Sequence, residues 1–122
     1  MAAIRKSTLE AVLLAARNTY PDEFIALLSS KGKNKVADEF VLLPAIYGKS
    51  FSSIRLDLLP LDKSILGSVH SHPGPNASPS SADKRAFRHM GEMHLILAAP
   101  FNLESARAFD ANGKEFPLEV LE

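Results

Sequence analysis

Between residues 65 and 90 the hydropathy period changes once, across a stretch that can be neither helix nor strand. Ile65 to His70 reads as a strand. Its period of two puts Leu66, Ser68, His70 and His72 on one side if the extended form continues. Pro73 to Pro79 holds three prolines, a glycine and an asparagine, which makes it a loop. Ser80 to Met90 reads as a helix, with Ala82, Ala86, Phe87 and Met90 as its apolar stripe and Gly91 as its stop. A strand tied to a helix by a stiff loop fixes which side chains meet where the strand ends.

The residues brought to that meeting point carry chemistry. The order is His70, one residue, His72, seven residues, Ser80, two residues, Asp83. Two imidazoles and a carboxylate make three protein ligands for one Zn²⁺, leaving a fourth position for water. Structural zinc sites are instead closed by four ligands, mostly cysteine. This chain has no cysteine, so a metal here is held by nitrogen and oxygen, a donor set that also serves Fe²⁺ and Mn²⁺. Asp83 in the first turn of a helix is kept ionised by the helix dipole. Taken singly, the pieces mean little. A His-x-His pair is often two surface histidines, Ser-x-x-Asp is usually a helix cap, and Ser78-Pro79 is another candidate for N-cap and first helical position. In this order and at this spacing they are much harder to obtain by chance.

The rest of the chain reads as further alternation of elements. Ser7 and Glu10 form a Ser-x-x-Glu capping box, followed by Leu9, Val12, Leu13 and Ala16 at helical spacing and ended by Asn18 to Pro21. Phe24 to Leu28 is a short unbroken apolar run, the mark of a strand buried on both faces. Val36 to Leu43 is a second strand stopped at Pro44, after a basic turn at Lys31 to Lys35. After a loop at Tyr47 to Ser50, Ile54, Leu56 and Leu58 alternate with polar residues, as in a half-exposed strand. Met93 to Ala99 is a buried strand. Ala106 to Phe109 and Phe116 to Leu121 suggest a final hairpin, with Asn112-Gly113 suiting a tight turn. Helix, strands, helix, strands in this order predict an α/β domain, residues 1–122, with one mixed sheet flanked by helices.

Charge and apolar content exclude some roles. At 46% hydrophobic residues, 122 residues can bury a real core without disulfides. Fourteen basic residues balance fourteen acidic ones, so no global field attracts nucleic acid or an anionic membrane. The start Met1-Ala2-Ala3-Ile4-Arg5-Lys6 lacks the long apolar region of a signal peptide, and no apolar run approaches the ~20 residues of a membrane span. A soluble, cytoplasmic protein is expected.

His70-Ser71-His72-Pro73 through Ser80-Ser81-Ala82-Asp83 resembles the JAMM motif of the MPN-domain metalloproteases, His-x-His-x7-Ser-x2-Asp. Pro21-Asp22-Glu23-Phe24-Ile25-Ala26-Leu27-Leu28 looks like that family's glutamate segment, just after the first helix. The likeness covers essentially the whole chain and is greatest to small, single-domain archaeal and bacterial members. It implies a curved mixed sheet of the MPN/JAMM, cytidine-deaminase-like kind. It implies that His70, His72 and Asp83 bind one Zn²⁺ with a water as fourth ligand, that Glu23 is the general acid/base, and that Ser80 helps stabilise the oxyanion. The residues alone do not single out Glu23, because Glu10, Glu39, Asp57 and Glu92 are also available. The implied reaction is amide hydrolysis, in the family commonly of the isopeptide bond between the C-terminus of a ubiquitin-like modifier and a lysine amine.

Two other functions compete. One keeps the zinc and trims a linear C-terminal extension from a sulfur-carrier ubiquitin-like protein. The other is a noncatalytic MPN scaffold, against which the full set Glu23, His70, His72, Ser80 and Asp83 argues. The chain is too short for the insertions with which eukaryotic deubiquitinating members grip ubiquitin. An extended Gly-rich tail is expected to pair near Ile54–Leu58 or the loop Pro73–Pro79. His89 is expected at the surface and His94 as a hydrogen-bonded core residue. Lys84, Arg85 and Arg88 are expected on a solvated helix face, with an acidic partner as the weaker alternative. Met90 and Met93 are expected in the core.

Overall fold

The computed structural model describes residues 3–32, 34–43, 64–89 and 91–122. In chain order these form β1 (Ala3–Arg5), α1 (Lys6–Thr19), β2 (Ile25–Ser29), β3 (Val36–Ala37), β4 (Glu39–Leu42), β5 (Ile65–His72), α2 (Ser81–Phe87), β6 (Met93–Ala98), β7 (Ala106–Phe109), β8 (Glu115–Phe116) and β9 (Glu119–Leu121). A six-stranded sheet runs β4-β2-β5-β6-β7-β8, and a three-stranded one runs β3-β1-β9. Among the described residues of the larger sheet, β5 and β6 are the parallel pair and the other neighbours are antiparallel. A parallel pair needs a crossover, and α2 supplies it. The α/β class with a mixed sheet and two helices is therefore as expected.

Side-chain alternation sends the sheet's residues into two apolar clusters. Ala26 and Leu28 of β2, Val69 of β5, and Leu95 and Leu97 of β6 pack with Leu9, Val12, Leu13 and Ala16 of α1. Leu27, Ile96, Ala98 and Phe109 pack with Ala86 and Phe87 of α2. The two helices thus cover opposite faces of the sheet, so β2, β5 and β6 are buried on both. Each fully buried valine, leucine or isoleucine there contributes about 1.5–3 kcal/mol. On β5 the alternation gives Val69 to the α1 face. Ser68, His70 and His72 go to the α2 face.

Several expected boundaries move. The Ser7–Glu10 capping box does not form: α1 begins at Lys6, with Arg5 as N-cap and no side-chain cap bond. Strand β1 runs straight into the helix, so its pairing with β3 and β9 sets the helix start. The expected strand Val36–Leu43 is divided at Asp38. Its N–H donates to the Ser29 carbonyl and its carboxylate accepts from the Lys31 N–H, sending β3 to β1 and β4 to β2. The closing hairpin is only β7 with β8. Pro117 has no N–H to continue the ladder, and β9 crosses to pair with β1. The turn between them is organised by Asp110, whose Oδ1 accepts from the N–H groups of Asn112 and Lys114, with Gly113 at φ +80°. Helix α2 is shorter than expected at both ends, and β6 stops at Ala98. The expected strand at Ile54–Leu58, the loop at Tyr47–Ser50 and Met90 lie outside the described residues.

Candidate metal centre

Strand β5 continues past His70 to His72, so both imidazoles project from the α2 face at its end. Pro73–Pro79 turns the chain back, and α2 opens at Ser80. Ser80 is the N-cap: its Oγ accepts from the Asp83 N–H and the Asp83 Oδ2 accepts from the Ser80 N–H, both at 3.0 Å. This reciprocal capping box displaces the alternative cap at Ser78. It also fixes the Asp83 carboxylate, which faces the two histidines.

The three donor atoms form a nearly equilateral triangle. His70 Nε2 lies 3.2 Å from His72 Nε2, and Asp83 Oδ2 lies 3.5 Å from the first and 3.4 Å from the second. A zinc ion bound tetrahedrally at about 2.0–2.1 Å holds its ligand atoms about 3.3–3.4 Å apart. The triangle therefore fits such an ion, and among the described residues this is the one group of three or more His, Cys, Asp or Glu that could hold a metal. His70 and Asp83 are buried while His72 is 21% exposed, so the centre is approached past His72.

The electrostatics suit a ligand set. Burial pushes the His70 pKa down, against the neighbouring Asp83, which keeps this ring neutral. Hydrogen bonding to Asp83 pushes His72 up, against partial burial. Burial alone raises the Asp83 carboxyl, but hydrogen bonds from His70 and His72 more than offset it and hold the group well below the usual carboxylate range. The tautomer of His72 follows from its partner. Its Nδ1 lies 3.0 Å from the Asn76 carbonyl, which can only accept, so Nδ1 keeps a proton and Nε2 is the nitrogen on which a metal would replace the proton shared with Asp83. Asn76 is itself held in an Asx turn, its Oδ1 accepting from the Ser78 N–H at 2.9 Å.

Glu23 is half-buried at the approach to β2. The ladder pairs Ile25 with His70, and carrying that register back two residues sets Glu23 across from His72. Its charge pulls both histidines upward, the last of several influences and not enough to offset the burial that lowers His70, so it belongs to the same electrostatic neighbourhood. All five expected site residues thus converge where β5 ends, three of them within direct reach of one ion.

His94 is a core residue, as expected. Its Nε2–H donates to the Gly91 carbonyl at 3.2 Å, leaving Nδ1 to accept from the Ser68 hydroxyl at 2.8 Å. The ring stacks on Phe87 with centroids 4.3 Å apart, and Phe87 in turn lies 6.4 Å from His70. His89 and the basic residues Lys84, Arg85 and Arg88 are exposed, and Met93 is buried. Phe87 was expected on the apolar stripe of α2, whereas a role for Asn76 was not, although Asn76 two residues before Ser78 was a readable Asx signal.

The comparisons with known proteins agree with this geometry. The family model of prokaryotic homologs of the JAB domain matches residues 5–112. A protein of Haloferax volcanii described as a probable metalloprotease is 30% identical over 98% of this chain and 79% of its own length. A JAB1/MPN domain protein from Archaeoglobus fulgidus superimposes with a TM-score of 0.80 at 35% identity, covering 98% of this chain and 99% of that one. A structure reported as "JAMM: a metalloprotease-like zinc site in the proteasome and signalosome" gives 0.79 at 34% identity, covering 100% and 99%. A protein from Desulfitobacterium hafniense, at 22% identity and a TM-score of 0.64, shares the fold. With a domain model matched over most of its length and a metal-competent triangle at the end of β5, the chain belongs to the JAB/MPN (JAMM) family, among its prokaryotic members.

Proposed function

We propose that this chain is a zinc metalloprotease that hydrolyses the isopeptide bond between the C-terminus of a ubiquitin-like modifier and a lysine amine. The observation that carries the reading is the triangle of His70, His72 and Asp83, matched in size to zinc and reached from the His72 side, with Glu23 two residues before the Ile25 that pairs with His70. The names of the relatives support it: one is described as a probable metalloprotease and another by its metalloprotease-like zinc site. His70, His72 and Asp83 would hold the ion. The chemistry it supplies when bound is Lewis-acid polarisation of a carbonyl and acidification of a water to a pKa of about 7.

The chain's own groups do the rest. Glu23 takes a proton from the attacking water as the oxygen adds to the carbonyl carbon. It returns that proton to the lysine nitrogen as the C–N bond breaks, leaving a carboxylate and an amine. The Ser80 oxygen accepts the Asp83 N–H, which leaves the hydroxyl proton to donate to the developing oxyanion. Capping and catalysis thus use different parts of one hydroxyl.

The test is Glu23→Gln, assayed on a ubiquitin-like protein joined to a lysine side chain and, alongside it, on a linear C-terminal extension of that protein. Bound zinc should stay at the wild-type level while turnover falls by about 10²–10⁴. A Glu23→Gln protein with full turnover would overturn the mechanism. Cleavage of the linear extension alone would move the substrate to the sulfur-carrier type.

A further inference from the structure

Ser71 sits between the two histidines, but its side chain points the other way. It shares the α1 face with Val69 and is 1% exposed. It makes two contacts to one residue: the Ser71 N–H donates to the Phe24 carbonyl at 3.0 Å, and the Phe24 N–H donates to the Ser71 Oγ at 2.8 Å. A regular antiparallel pair would send the second bond to the Ser71 carbonyl. Here β2 begins only at Ile25, and the hydroxyl takes over where the ladder stops.

Phe24 is itself 5% exposed and its ring lies in the α1-side core, 6.2 Å from Phe40, so its N–H has no water to turn to. The next residue toward the N-terminus is Glu23, which by alternation projects from the opposite face, the face of His70 and His72. The Ser71 hydroxyl on the back of the sheet, together with the Ser71 N–H, therefore ties down the backbone from which Glu23 extends.

We propose that Ser71 is a positioning residue that clamps the Glu23–Phe24 segment to β5 and so holds the Glu23 carboxylate in register with the metal centre. The inference rests on the reading of Glu23 as the general acid/base. It explains how Glu23 stays aligned with the distant segment that carries His70 and His72: its neighbour Phe24 is bonded to Ser71 across 47 positions of sequence. Misplacing a reacting group by about 1 Å can cost about a hundredfold in rate, which is the scale on which the clamp matters.

Ser71→Ala, Ser71→Thr and Glu23→Gln, all zinc-loaded, are compared for bound zinc, hydrogen exchange of the Phe24 amide, and kcat and KM on the isopeptide-linked ubiquitin-like protein. Ser71→Ala should keep its zinc and KM, lower kcat by about 10- to 100-fold, and speed Phe24 exchange at least about tenfold. Ser71→Thr, which keeps the hydroxyl, should restore both. Wild-type Phe24 exchange in Ser71→Ala would overturn the clamp, as would a loss of kcat that only follows loss of zinc. Full turnover in Glu23→Gln would remove the catalytic reading of Glu23 instead, while the exchange measurement still decides whether Ser71 holds the segment.

Discussion

Ser80 carries two assignments that one set of substitutions can separate. Its Oγ caps α2 through the Asp83 N–H, and its proton is proposed to meet the oxyanion. Replacing an N-cap serine by alanine costs about 0.5–2 kcal/mol. Helix α2 has only seven residues, too few to persist without its cap and packing, which argues for the upper half of that range. For a chain of this size about 1 kcal/mol corresponds to roughly 3–6 °C in Tm. Loss of an oxyanion donor costs about 10²–10³ in kcat. Ser80→Ala should therefore show both losses. Ser80→Asp keeps a good capping acceptor but has no proton to give, so it should recover Tm and not kcat. Ser80→Thr should recover both. The measurements are thermal denaturation of chelator-treated protein and kcat of the zinc-loaded form, with zinc content checked in each variant. Wild-type turnover in Ser80→Asp would reduce Ser80 to a cap, and an unchanged Tm in Ser80→Ala would show that the cap contributes nothing.

Three further outcomes follow from the geometry. Asp83→Asn keeps an acceptor for the Ser80 N–H but removes the charge at the triangle, so α2 should survive while zinc affinity falls by more than the roughly 10- to 100-fold typical of losing an outer partner, as read by competition with a chromogenic chelator. Zinc affinity should weaken as pH falls, and begin to do so above about 6.5, the ordinary histidine value. The raised pKa of His72 lets protons compete early, whereas lowered His70 and ionised Asp83 add little there; affinities measured between pH 8 and 6 that do not change would contradict this. Gly67→Ala would drive a Cβ into the Met93 carbonyl oxygen, forcing β5 from β6, and should cost more than the 1–3 kcal/mol typical of overpacking, measurable by urea denaturation.

Much of the site was legible because its parts are local. The period of two in Ile65–His72 placed both imidazoles on one face, and the proline-rich loop fixed the reach to Asp83. What local pattern could not show was competition for partners. The Ser7–Glu10 box lost to β1, three residues long and invisible as a period. Val36–Leu43 read as one strand because nothing in its hydropathy marks Asp38 as the point where two sheets claim different halves.

The sequence by itself determined the candidate ligand types, their spacing and the strand-loop-helix that carries them, because these depend on neighbours within a few residues. Only the tertiary structure decided that the three donor atoms close to a triangle of zinc's size. It also decided that the Asn76 carbonyl sets the His72 tautomer, and that Phe24 is tied to Ser71 across the sheet. Those depend on register between strands and on a buried hydroxyl replacing a ladder bond, which is chosen by packing the whole core and not by any segment alone.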